Sequence, residues 1–134
     1  MLQKKEKFPE VSVKVVFKCG DKVLYQKLGH VRDIPGGHIE FGETVLGALT
    51  RELKEELDYK VETEPCLLHA WSYISRDKTA HRVYIVYLIN LEREIVFFSK
   101  EECALEFIWL DKLEIKSQGF LPEMEKIFLK ATNL

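Results

Sequence analysis

Val45, Leu49, Leu53 and Leu57 recur every four residues and draw one apolar stripe along the stretch from Thr44 to about Leu57. That spacing predicts an amphipathic helix with Thr44 as its N-cap, and the stripe requires an apolar surface to pack on. A sheet is the surface on offer. Val11, Val13 and Val15 alternate with Ser12 and Lys14, and a second β-rich run, Val23 to Leu28, follows across Cys19-Gly20-Asp21-Lys22. The two runs read as a hairpin. Cys66 to Ile74, Arg82 to Leu91 and Glu94 to Phe98 read as three further strands, each rich in aromatic and β-branched residues. Near the end, Pro122 suits a first helical turn, and Met124, Ile127, Phe128 and Ala131 have the spacing of a closing amphipathic helix. Strands, helix, strands, helix in that order predict an α/β fold with a mixed sheet.

Between Gly29 and Gly42 the glycines and Pro35 break regular structure and promise a loop with close backbone approaches, Pro35-Gly36-Gly37 forming a tight bend. Alone, a Gly-Gly pair predicts no more than a turn. Behind it, Arg51-Glu52-Leu53-Lys54-Glu55-Glu56 places Glu52, Glu55 and Glu56 within a narrow arc of the helix, at about 100° per residue. Like charges at i,i+3 and i,i+4 cost a helix a few tenths of a kcal/mol per pair, and Lys54 projects away from the arc. A divalent cation would offset the repulsion. Mg²⁺ takes oxygen ligands and binds through one or two carboxylates plus substrate phosphates, so it fits three glutamates better than zinc does. For an arbitrary cluster of helical glutamates, a solvated acidic face is the default.

The spacing changes that balance. Gly37, then Glu43 after five residues, then Arg51-Glu52-Leu53-Lys54-Glu55-Glu56 after seven more resembles the Nudix box almost position for position. The resemblance covers Gly37 to Tyr59, with Pro35-Gly36 and Glu40 as familiar flanks. It implies an α/β/α sandwich with a mixed sheet between the box helix and the C-terminal helix, forming a single Nudix hydrolase domain over residues 1–134. It also implies a Mg²⁺-dependent enzyme, with Mn²⁺ as an alternative, that hydrolyses the diphosphate linkage of a small-molecule nucleotide substrate. Glu52, Glu55 and Glu56 would then hold the metal with the carbonyl of Gly36, and Arg51 and Glu43 would brace them. Glu52 is the first choice for the base. Related enzymes differ here, and some use a glutamate from a late loop, where this chain has Glu101 and Glu102 ahead of Trp109.

One position departs from the box: Asp58 stands where glycine is usual, just after the helix. A left-handed residue is expected there, and Asp adopts that conformation at modest cost. Gly47 inside the helix costs about 1 kcal/mol relative to alanine, which predicts close packing against the strand side. His30, His38, His69 and His81 lack metal-ligand spacing and read as structural or solvated. Trp71, Tyr73 and Trp109 have the chemistry to stack on a base, but core packing is the reading for Trp109.

With 20 basic and 22 acidic residues, the chain has no basic excess to hold a nucleic-acid backbone. Hydrophobic residues at 46% and charged residues at 31% suit a soluble globular domain, and no apolar run approaches a membrane span. Cys19, Cys66 and Cys103 form no CxxC pair and read as buried or idle thiols in a reducing compartment. The basic start, with no apolar segment after it, is unlike a signal peptide and points to the cytoplasm. A monomer or a homodimer is expected. Two other functions fit the same fold: a non-catalytic nucleotide-binding or regulatory module, and an RNA decapping-type pyrophosphohydrolase. The complete glutamate set weighs against the first, and the charge balance against the second. Family subgroups carry a proline or tyrosine a dozen or more positions beyond the box; Pro65 and Tyr73 lie too close to serve, which leaves the substrate open.

Overall fold

A computed structural model describes residues 7–134, so the first six residues, read above for a leader segment, lie outside the described part. β1 (Glu10–Cys19) turns through Gly20, at φ 61°, into β2 (Lys22–Leu28), as the alternation of valines predicts. β3 (Val31–Asp33), β4 (Gly36–His38) and α1 (Val45–Leu57) follow. Next come β5 (Cys66–Ile74), β6 (His81–Asn90), β7 (Glu106–Leu110), α2 (Lys112–Ser117) and α3 (Pro122–Thr132). The sheet has the order β3-β2-β1-β6-β5, with β4 also paired to β1 and β7 to β2. β1 and β6 run parallel while every other pairing is antiparallel, so the sheet is mixed.

Successive residues of a strand point to opposite faces, and β1 uses both. Val13, Val15 and Phe17 pack with Leu49, Leu53 and Leu57 of α1, while Val16 packs with Ile127 and Phe128 of α3. The sheet is thus covered on both sides, which gives the expected α/β/α sandwich. Leu49 and Leu53 are fully buried, and each contributes about 1.5–3 kcal/mol through removal from water. The predicted stripe is therefore what fixes α1 on the sheet.

The ends of α1 explain its two odd residues. Thr44 caps the helix, its hydroxyl accepting the Gly47 N–H at 3.0 Å. Gly47 is exposed, and a methyl there would meet only Thr44, with Oγ1 at 2.8 Å. Its glycine therefore serves the cap, not the sheet packing expected from sequence. Gly47→Ala should gain helix propensity and disturb the cap, changing stability by less than about 0.5 kcal/mol. In a Thr44→Ala background the same change should stabilise by about 1 kcal/mol. Urea unfolding of the four proteins in this cycle measures the coupling, and additive effects would disprove it. At the other end Asp58 is left-handed, φ 54°, and its carboxylate receives Lys54 at 2.7 Å and Lys100 at 3.3 Å. Those ion pairs help offset the cost of a non-glycine residue in that conformation.

Three expectations need correction. Glu94 to Phe98 does not join the sheet. Its alternation is real, since Phe97 is buried against Phe17 at 4.8 Å while Val96 and Phe98 are exposed. The segment lies over the α1-side core as unpaired chain, held by Trp109 Nε1 donating to the Ile95 carbonyl at 3.3 Å. The bend expected over Pro35-Gly36-Gly37 is confined to Pro35: Gly36 and Gly37 open β4, opposite Lys14 and Val13 of β1. Of the two readings of the cysteines, buried or idle, the first fails for Cys66 and Cys103, which are exposed. The expected closing helix is present, with Pro122 in its first turn. No helix of the described residues is long and apolar enough to cross a membrane.

Candidate functional site

β4 lies against the carboxylate face of α1. A Cβ on Gly37 would fall 2.3 Å from Glu52 Cδ and 2.5 Å from both carboxylate oxygens, so the Glu52 carboxylate occupies the space a side chain would fill. Gly36 has φ 141°, and a Cβ there would strike the Val13 carbonyl oxygen at 2.1 Å. Both glycines are needed, for different reasons. The close approach brings the Gly36–Gly37 backbone beside Glu52, as the box resemblance implies.

Arg51 organises the acidic face. Its Nε and Nη2 donate to the two oxygens of Glu43, both at 2.8 Å, a bidentate pair of the strong, geometrically specific kind. Nη2 also donates to the His38 carbonyl at 3.0 Å, tying helix to β4. Nη1 donates to Glu52 at 3.0 Å and to Glu55 at 3.3 Å. The hydrogen bonds from Arg51 and from the Glu40 amide hold the Glu43 carboxyl down at about 2, and Glu43 raises the Arg51 pKa in turn. The sequence pattern suggested that no local group relieves the repulsion among the glutamates. Arg51 relieves it for Glu52 and Glu55.

Glu56 is the exception. Burial pushes its carboxyl up to about 7, helped by the charges of Glu101, Glu52 and Asp33 and opposed by Lys14. A small cavity of about 230 Å³ joins Glu56 to Asp33, Gln26, Glu101 and Glu102. The late loop therefore does reach the end of the acidic face. Glu102 Oε1 accepts the Ala104 N–H at 3.1 Å, which commits it in part to its own turn. Among the described residues no three His, Cys, Asp or Glu side chains already converge on one metal position. Glu52 and Glu55 are instead turned onto Arg51. The donors nonetheless suit a hard cation: carboxylate oxygens beside a glycine backbone with no side chain in the way, and a carboxyl at Glu56 whose ionised form is in want of positive charge.

Sequence reasoning missed Lys14 and Asp33. Lys14 is only 13% exposed, and its Nζ donates to Asp33 Oδ2 at 2.9 Å and to the Ile34 carbonyl at 3.4 Å. A lysine inside an otherwise buried strand was the available signal. Of the histidines, His69 Nε2 lies 2.5 Å from Glu123 and His38 Nε2 lies 3.8 Å from Glu10. Trp109 packs in the α1-side core as expected, whereas Trp71 and Tyr73 line a cleft of about 760 Å³ that opens onto Gly36 and Gly37.

A family model of the NUDIX domain matches residues 8–130. An ADP-ribose pyrophosphatase of Methanocaldococcus jannaschii is 42% identical over 60 residues, which cover 43% of this chain and 34% of that protein. The chain thus spans about a third of that relative's length. The crystal structure of a MutT NUDIX hydrolase from Burkholderia pseudomallei superposes with a TM-score of 0.74 at 23% identity, covering 93% of this chain and 98% of the other. The NUDIX domain of Shewanella oneidensis NrtR, complexed with ADP ribose, gives 0.74 at 16% identity over 96% and 89% of the two chains. At such identities the two structures speak for the fold. With the family model matching almost from end to end, the chain belongs to the Nudix family.

Proposed function

We propose that residues 1–134 form a single Nudix hydrolase domain that cleaves the diphosphate linkage of nucleoside diphosphate derivatives with the help of Mg²⁺ or Mn²⁺. The observation that carries the reading is the Glu52 carboxylate seated on Gly37 and gripped by an arginine that is itself held bidentately by Glu43. A solvated acidic face has no need of such bracing. Glu52, Glu55 and Glu56, with the Gly36 carbonyl, would hold the cation. When bound, it supplies neutralisation of the diphosphate oxygens and a more acidic water. Arg51 and Glu43 keep Glu52 in place, the role in which a planar, bidentate arginine outperforms lysine. Glu52 is the first choice to accept the proton of the attacking water, and Glu101, whose charge is felt at Glu56, is the alternative from the late loop.

The purified protein should be tested against nucleoside triphosphates, ADP-ribose, nucleotide sugars and dinucleoside polyphosphates. Hydrolysis of at least one class is expected with Mg²⁺ or Mn²⁺, falling to background in a chelator and returning when the cation is restored. Full activity in the chelator would overturn the reading. Tight nucleotide binding with no turnover across the panel would instead favour a binding module.

A further inference from the structure

β5 forms one edge of the sheet, and among the described residues nothing hydrogen-bonds to the outer side of its backbone. A free edge presents a row of donors and acceptors that another strand can extend, and a protein that stays single blunts it with charge, proline or brevity. The other end of the sheet is blunted in this way: β3 has three residues, two of them Arg32 and Asp33. β5 has nine residues and no lysine, arginine, aspartate, glutamate or proline among them. A bulge at Leu68 bends its start, but from His69 to Ile74 it runs in unbroken register with β6. Leu67 and Ile74, opposite Tyr87 and His81, share one face of the sheet and remain 66% and 56% exposed. The charges lie just outside the strand and differ in sign at its two ends. The lead-in carries Glu62 and Glu64, and the turn after the strand carries Arg76 and Lys78, all four exposed. None of the four has an ion-pair partner among the described residues. Asp77, between the two cations, is turned into its own loop, where it accepts the hydroxyls of Ser75 and Thr79 at 2.7 Å each.

We propose that β5 is the interface for a second copy of this chain, the two strands running antiparallel about a two-fold axis at Trp71 and joining the two sheets into one. An antiparallel pair sets the start of each strand beside the end of the other. The acidic lead-in of one copy therefore meets the cationic turn of its partner, and the symmetry makes this contact twice. A parallel pair would set like charge beside like. With the axis at Trp71, Ala70 faces Ser72, His69 faces Tyr73 and, past the bulge, Leu67 faces Ile74. The two exposed apolar side chains thus cover one another, and Arg76 falls beside Glu64. A foreign strand would match the backbone alone, whereas a second copy matches the backbone, the apolar pair and both charged ends. The inference stands apart from the hydrolase reading, since no residue of the acidic helix takes part in it.

The test is sedimentation equilibrium of the full chain at low salt, in a reducing buffer that excludes a Cys66 disulfide, from about 1 to about 300 µM. The wild type should pass from monomer to dimer within that range. Ile74→Lys, which sets a charge on the edge at an exposed position, should stay monomeric throughout while its circular dichroism matches the wild type. Arg76→Glu and Glu64→Lys should each weaken association by about tenfold, because each reversal turns an attraction into a repulsion at both ends of the dimer. The double variant restores the match with the signs exchanged, so its association should return to within about threefold of the wild type. The proposal is overturned by a wild type that stays monomeric to the top of the range, or by a dimer that Ile74→Lys leaves intact. Losses that add in the double variant, in place of cancelling, would overturn it as well.

Discussion

Gly36→Ala is expected to leave little folded protein, whereas Gly37→Ala is expected to fold and lose most of its activity. The two glycines are adjacent, yet a new methyl at each meets a different kind of neighbour. At Gly36 it would lie 2.1 Å from the Val13 carbonyl oxygen and 2.7 Å from Lys14 Cα, both backbone atoms of β1. That strand is held on its other edge by β6 over nine register pairs, Glu10–Arg82 through Lys18–Asn90, and has no freedom to retreat. The φ of 141° adds strain for any residue with a side chain. Overpacking and strain together should cost on the order of 3–5 kcal/mol, a large part of the roughly 5–15 kcal/mol that holds a domain folded. At Gly37 the nearest atoms the methyl would meet are those of the Glu52 carboxylate, the far end of a flexible side chain. Glu52 can swing away, so the expected loss of stability is no more than about 1 kcal/mol. It cannot swing away and remain in its seat, and a displaced metal ligand or base should lower turnover by about a hundredfold. Thermal unfolding and turnover of both variants check the contrast. Wild-type turnover in Gly37→Ala would mean that the Glu52 seat is not part of the reactive site.

The same comparison shows where sequence stops being informative. The helix and its two faces were legible because burial and charge both repeat at helical spacing, and Thr44 and Asp58 occupy the ends they advertise. Strand β1 was legible from its alternating valines, and β2, β5 and β6 from their β-branched and aromatic residues. Glu94 to Phe98, read as a strand from the same enrichment, failed because neither its residue types nor the in-and-out alternation of its side chains reports whether the backbone finds a partner. β7 was missed for the complementary reason: Phe107, Ile108 and Trp109 are all partly buried, so the short run shows no alternation, and only pairing with β2 makes it a strand. α2 is too short for periodicity, but its capping box, Asp111 with Glu114, was written in the chain.

At the site, spacing along one helix placed Glu52, Glu55 and Glu56 together. It could not show how Arg51 would divide its donors among them. That division depends on β4 bringing the His38 carbonyl within reach of the arginine, and on Glu43 meeting the guanidinium from the loop before the helix. Lys14 and Asp33 were out of reach for a related reason. They are 19 positions apart in the chain and meet only through tertiary structure.

Arg51 also decides which glutamate governs metal-free stability. Repulsion alone would suggest that neutralising Glu52 stabilises the metal-free protein, but Glu52 and Glu55 have Arg51 as a partner, and Glu52→Gln should weaken that pair. Glu56 is the residue to neutralise. Burial raises its carboxyl from 4.5 to about 7, so the folded state holds a proton there that the unfolded chain has already released. Stability from this group is therefore undiminished below pH 4.5, falls as pH rises through the interval, and is lowest above pH 7. Glu56→Gln removes the titration. With a chelator present, the variant and the wild type should melt alike near pH 4.5 and separate progressively up to about pH 8. There the variant should be ahead by at most about 2–3 kcal/mol, or roughly 5–10 °C. Adding Mg²⁺ should reverse the order, because a cation that binds the folded state stabilises it by mass action and the variant offers that cation one charge fewer. Turnover of the variant should be lower by tenfold to a hundredfold even though its metal-free form is the more stable. Thermal melts of both proteins across pH, with chelator and with Mg²⁺, make the test. If the two proteins respond equally to Mg²⁺, Glu56 is not a ligand, while a constant gap at every pH would mean that its buried carboxyl is not what limits the metal-free fold.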